Sequence, residues 1–178
     1  MISMPDQVKA SQLARNGFDL WQAGRLEESV TKYREALECV DPNHYALADY
    51  HGEFAAVLAA LGRDADALEQ YQLALTESVR QDPEEHGAGV AMARHFLGDQ
   101  LVSMNEPTQA LAIVEPPQRC GAKYEWLMHL VQAEALWQLG RTDEARHVAN
   151  IALEIAPSEQ NRNNIRQGLA FILNRDAG

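Results

Sequence analysis

The sequence predicts an all-α chain of stacked helix pairs, an α-solenoid. Three observations predict it. A helix corner recurs: Ala23-Gly24-Arg25 before Glu27, Glu28 and Ser29; Leu61-Gly62-Arg63 before Asp64, Asp66 and Ala67; Leu139-Gly140-Arg141 before Asp143, Glu144 and Ala145. The corners are evenly spaced, Gly24 to Gly62 being 38 residues and Gly62 to Gly140 being 78, about twice that. A copy is therefore expected midway, and Met104-Asn105-Glu106 with Ala110 supplies it. No stretch alternates polar and apolar residues with the period of a strand.

Each corner has a physical reading. Glycine adopts the left-handed conformation that ends a helix at little cost, and Asn is the next-best residue there. The acidic pair after it sits at the positive end of the following helix. Repeats of this length are supersecondary units, none able to bury its apolar face alone.

In order, Pro5-Asp6 opens a first helix to Ala23, with Leu13, Leu20 and Trp21 at helical spacing. The second carries Leu26, Val30, Tyr33 and Leu37 and stops at Asp41-Pro42. Asn43 is expected to cap a third helix to Leu61; the fourth runs from Asp64 to about Arg80. Asp82-Pro83-Glu84-Glu85 has the composition of a capped start for the fifth, which carries Val90, Phe96, Leu97 and Leu101. Pro107 to Val114 is a short sixth helix, and the segment to Gly121 is the expected irregular, flexible joint. A seventh spans about 122–139 and an eighth 143–156, ending at Pro157. Ser158 caps a last helix with Ile165, Leu169 and Ile172 on one stripe. The expected pairs are thus 5–42, 43–81, 83–115 and 122–157, with a capping helix over 158–174, all in one domain.

Composition bounds the function. The 178 residues carry a formal charge of −11, which disfavours binding to nucleic acid or an anionic membrane surface. Cys39 and Cys120 are far apart, so neither a disulfide framework nor a structural zinc site is expected. The N-terminus lacks a signal-peptide pattern, and no stretch approaches the ~18 apolar residues of a membrane span. The expected compartment is the cytoplasm. His44, Asp49 and His51 come nearest to a metal cluster, but no metal or cofactor is expected, nor any enzymatic constellation.

The repeats resemble the tetratricopeptide repeat, whose pattern is W-x2-L-G-x2-Y, then A-x3-F, then P. The matching residues are Leu13, Asn16-Gly17, Leu20, Ser29, Tyr33 and Pro42; then His51, Phe54-Ala55, Leu58, Ala67 and Tyr71. Arg94, Leu97-Gly98, Leu101, Ala110 and Val114 form the third copy. His129, Gln132-Ala133, Leu136, Ala145, Ala149 and Pro157 form the fourth. The opening Trp is absent from every copy. The resemblance covers about 7–157 and implies a right-handed superhelix whose first helices line a concave groove for a peptide or helix.

Counting back from each corner places Ser11, Ala14, Phe18 and Trp21 in that groove, then Asp49, Gly52, Ala56 and Ala59. Met92, His95, Asp99 and Val102 follow, then Leu127, Leu130, Glu134 and Trp137. No Lys or Arg falls in the set. The positions that hold a C-terminal carboxylate in chaperone-binding members fall on Ala14, Phe18, Glu53, Met92 and Phe96, so that clamp is absent. The middle is small, with Gly52, Ala56 and Ala59, and Trp21 and Trp137 stand at its ends. Either Trp could equally be seam packing. The expected partner is another protein, through an apolar or basic-apolar peptide or helix. A structural homodimer assembling through its own repeats is the rival reading, and an enzyme a distant third.

Overall fold

A computed structural model of the chain describes residues 5–174. Those residues are helical, with no strand among them. They fall into two compact units, Met1–Gln81 and Asp82–Gly178.

The first unit holds α1 (Gln7–Gln22), α2 (Leu26–Cys39), α3 (Leu47–Ala60) and α4 (Asp64–Gln81). Asp6 caps α1, its side chain accepting from the Lys9 N–H. The chain turns from α1 to α2 at Gly24 and from α3 to α4 at Gly62, with φ of 74° and 71°. The small residues after these corners, Ser29 and Ala67, are fully buried. Ser29 Oγ donates to the Gly17 carbonyl at 2.7 Å, pinning α2 to α1. A Cβ at Gly17 would meet the Tyr33 ring at 2.9 Å, so glycine lets the two helices close over that ring. Tyr33 stacks on Phe54, ring centroids 6.1 Å apart, which joins the first pair to the second.

The second unit holds α5 (Ala88–Ser103), α6 (Pro107–Val114), α7 (Glu125–Gln138), α8 (Thr142–Ile155), α9 (Glu159–Gly168) and α10 (Ala170–Leu173). Asn105 takes the corner expected of it at φ 60°, and Gly140 sits at 75°. Ala110 and Ala145 are fully buried. Gly98 lies under Val131 and Val114, where a Cβ would come within 2.7 Å of Val131 Cγ1.

Four expectations about the elements need correction. The third helix starts at Leu47, because the Asn43 N–H bonds Asp41 Oδ1 and the Ala46 N–H bonds His44 Nδ1, holding residues 41–46 in turns. The fifth starts at Ala88. Asp82 instead accepts from the Gly87 N–H, and Glu85 leaves helical space at φ 61°. The cause is Arg94, buried at the motif's opening position, which draws the Glu85 carboxylate. A buried guanidinium needs such a partner.

The segment after α6 is packed rather than irregular. Pro117–Cys120 is a 3-10 turn with Pro117 and Cys120 buried, and Arg119 shares Glu85 with Arg94. Finally, the capping helix is two helices, breaking at Leu169, whose burial together with Ile172 turns the chain back over α8. Ser158 does cap α9, accepting from the Asn161 N–H.

Candidate functional site

Helix pairing directs one face of α1 and α3 in the first unit, and of α5 and α7 in the second, away from their paired helices. Each unit has a cleft there.

In the first unit a cleft of about 280 Å³ is lined by Ser11, Ala14, Arg15 and Phe18 of α1 and by Tyr50 and Glu53 of α3. Its polar groups are largely occupied with one another. Tyr50 Oη donates to Ser11 Oγ at 3.1 Å, and Gln7 Nε2 donates to both oxygens. Tyr33 Oη donates to Glu53 Oε2 at 3.0 Å. Burial pushes the Glu53 carboxyl up, the Tyr33 hydrogen bond opposes this, and Asp49 adds repulsion. Tyr33 itself is driven above its ordinary range by burial and by Glu53.

Phe18 is exposed at the cleft and meets Trp21 edge to face at 5.9 Å. Asp49 is exposed, and Gly52, Ala56 and Ala59 are half-buried outside the cleft lining. A Cβ at Gly52 would stand 4.0 Å from that of Ala74, so this position looks toward α4. Arg15 corrects the expectation that no basic residue lines this face. It adjoins Ala14 on α1, one position off the counted rung.

In the second unit, five of the counted residues share one cleft of about 250 Å³: His95 and Asp99 of α5, and Leu127, Leu130 and Glu134 of α7. Trp126 and Val131 belong to its wall as well. The third side is α9, through Asn161, Asn164, Ile165 and Gly168, with Leu169 just beyond. Rung counting missed α9 because that helix follows no corner. Its signal was the spacing of Asn161, Ile165 and Leu169, four apart and hence on one face.

The electrostatics here differ from the first unit. Glu134 is half-buried, and its carboxyl is pushed up to about 7, first by burial and then by Asp99. It accepts no hydrogen bond from any described residue. His95 is held below its ordinary value by burial, which outweighs Asp99 and a backbone hydrogen bond with Leu127. Its Nδ1 is buried with no hydrogen-bond partner. Across the cleft, Asn164 Oδ1 accepts from Gln160 Nε2 and Asn161 is tied to Ser158.

Three counted residues lie outside this cleft, and one of them, Val102, is buried. Met92 is exposed further toward the start of α5. Trp137 is half-buried and packs edge to face on Phe171 of α10 at 5.6 Å. The His44–Asp49–His51 grouping is dispersed: His44 binds the Ala46 N–H, while His51 Nδ1 pairs with Gln70 at 2.8 Å. Among the described residues no group of three or more His, Cys, Asp or Glu side chains could hold a metal ion. No helix among them is long and apolar enough to cross a membrane.

Solved structures share this fold. One is a MamA structure, the RS-1 ArsTM double mutant, with TM-score 0.69 and 18% identity over 97% of this chain and 86% of that one. A tetratricopeptide-repeat protein from Parabacteroides merdae ATCC 43184 gives 0.69 at 19% identity, over 93% of this chain and 59% of that one. MamA from residue 41 to its end, from Desulfovibrio magneticus RS-1, gives 0.64 at 14% identity, over 98% and 100%. No family model and no curated protein matches the sequence. At these identities the likeness establishes the fold: the chain has the tetratricopeptide-repeat architecture of antiparallel helix pairs.

Proposed function

We propose that the chain is a protein–protein interaction module that binds a segment of another protein on the inner faces of its first helices. The segment is an apolar or basic-apolar peptide or helix, held for scaffolding or small-chaperone work rather than for chemistry. In the first unit the proposed face comprises Phe18, Trp21, Asp49 and Ala56, Gly52 being turned toward α4. In the second it comprises Met92, His95, Asp99, Leu127, Leu130, Glu134 and Trp137. The observation that carries this reading is the second unit's cleft: five residues counted from the repeat register alone share one concavity, lined by apolar side chains and two carboxyls. Such a surface selects cationic and apolar partners and repels carboxylates. The formal charge of −11 supports the same preference and argues against nucleic acid. A cytoplasmic location fits the sequence.

The test is affinity capture from the source lysate with the parent chain and with two face variants, Phe18→Ala and the Asp99→Lys/Glu134→Lys pair. Helicity and melting point are measured beside each. The reading requires that a captured protein be lost from a folded variant, and that raised salt mimic the charge reversal. Equal capture by all three folded chains contradicts it. The rival homodimer is read from light scattering across concentration: mass rising to twice the monomer, and falling back in Phe18→Ala, would favour self-assembly.

A further inference from the structure

We propose that the cleft between α5, α7 and α9 is a receptor for a single alkylammonium group, as carried by a lysine side chain of a bound segment. The proposal rests on the interaction reading above and names the chemistry one of its faces recognises.

Size is the first argument. About 250 Å³ lies below the usual ~300–1,000 Å³ of sites for drug-sized ligands, so the cleft suits one side chain rather than a nucleotide or a peptide length. The second argument is the donor–acceptor count. An ammonium has three N–H donors and no acceptor. Asp99 and Glu134 present carboxyl oxygens, and His95, disfavoured from charging, presents one acceptor nitrogen. The partnerless, buried Nδ1 is the one left for that role. A buried polar atom without a partner is rare enough in native structures to require an explanation, and a ligand donor supplies one.

The walls complete the match. Leu130, Ile165 and Trp126 are the apolar surface that a methylene stem covers while its charged end reaches the acids. A guanidinium fits less well, because its planar fork matches one bidentate carboxylate rather than separate acceptors. An incoming carboxylate would meet Asp99 and Glu134 directly.

Binding should follow the protonation of Glu134. Facing that group are Asp99 and His95 from α5 and the uncharged Asn161 and Asn164 from α9. Of the cations on α9, Arg162 pairs with Glu159, and Arg166 pairs with Glu159 and Asn163. No charged residue of α8 belongs to the lining. A cation prefers the ionised carboxyl, so affinity should fall by roughly tenfold from pH 8 to pH 6, as protonation through about 7 removes its partner.

The experiment is an NMR titration of the full chain, reading the Trp126 indole and the Gly168 amide. The probes are Nα-acetyl-lysine-N-methylamide, butylammonium and Nα-acetyl-norleucine-N-methylamide. Expected are saturable shifts for the two ammonium probes at pH 8, weakening roughly tenfold at pH 6, and none for norleucine. Glu134→Gln should weaken both by at least roughly tenfold while Glu159→Gln leaves them unchanged. Tighter binding of the lysine probe than of butylammonium assigns the site to a side chain; the reverse order assigns it to a free amine. Equal shifts from norleucine, no saturable shift up to about 100 mM, or undiminished binding to folded Glu134→Gln each overturn the proposal. Failure here leaves capture of a protein partner standing, and failed capture leaves an ammonium site standing.

Discussion

The two units pair their helices in the same way, yet their clefts are finished differently. In the first, Tyr33 reaches from α2 to Glu53 of α3, and Tyr50, Ser11 and Gln7 satisfy one another. In the second, Asp99 and Glu134 face the cleft with no hydroxyl reaching them. The difference lies at two repeat positions. Six residues before each corner stand Phe18 and Ala56 in the first unit, but Asp99 and Glu134 in the second. The counterparts of Tyr33 and Glu53 in the second unit are Val114 and Val131, which close the seam over Gly98 and offer neither donor nor acceptor. The same helix packing therefore yields one cleft in which Tyr50, Ser11, Gln7, Tyr33 and Glu53 bond one another and another lined by two carboxyls, Asp99 and Glu134.

The two units also differ in what holds them, and this gives the largest expected effect. Arg94 and Glu85 in the second unit form an ion pair with side chains only 7% and 14% exposed. Arg94→Met should strand Glu85 with Arg119 alone and destabilise by about 3 kcal/mol in urea unfolding. Arg25→Gln, which breaks the fully exposed corner pair with Glu28 in the first unit, should change nothing measurable. Equal losses in the two variants would erase this contrast.

Glycine packing comes next. Gly98→Leu should cost about 1–3 kcal/mol, since even a Cβ there presses on Val131. Gly52→Ala has room against Ala74 and should stabilise by roughly 0.5–1 kcal/mol through helix propensity. Thermal melts with opposite signs would support the packing described for both units.

The clefts themselves separate by pH. A Glu134 carboxyl raised to about 7 in the folded chain favours the folded state below the unfolded value of roughly 4.3, and that contribution is lost as pH rises through 7. Glu134→Gln should therefore melt above the parent at pH 8, less so at pH 5, and match it only below about pH 4. His95 acts in the opposite sense, its lowered value costing stability as pH falls below its ordinary range. The remaining effect is in the first unit. Tyr33→Phe should cost about 1 kcal/mol by removing one hydrogen bond, and should raise the Glu53 carboxyl further. A larger loss than that of Gly98→Leu would mean that the first cleft, not the second, is the strained one.

Much of this was legible in the sequence because repeats constrain it. Corner spacing located Asn105 as a stand-in for glycine before its φ was known, and it located the buried Ala110 and Ala145. The rung count brought His95, Asp99, Leu127, Leu130 and Glu134 to one cleft. Its failures share a cause: long-range partners override local pattern. Asp82 through Glu85 has the composition of a helix start, but a buried arginine nine residues on claims Glu85. Residues 117–120 resemble a loose, proline-rich joint, yet Cys120 is an apolar-sized side chain that the core takes in. Arg15 and α9 were missed because register counting follows equivalent positions, whereas a cleft is lined by whatever packs beside it.

The most direct test of the difference between the clefts is a carbon-detected NMR titration of the Glu134 carboxyl in the free chain, beside Glu53 in the same sample. A midpoint near 7 for Glu134, falling in Asp99→Asn, is the expected result. A midpoint in the ordinary glutamate range of roughly 4.3, unmoved by Asp99→Asn, would mean that solvent already satisfies this carboxyl and that the second cleft holds no acid pair awaiting a cation.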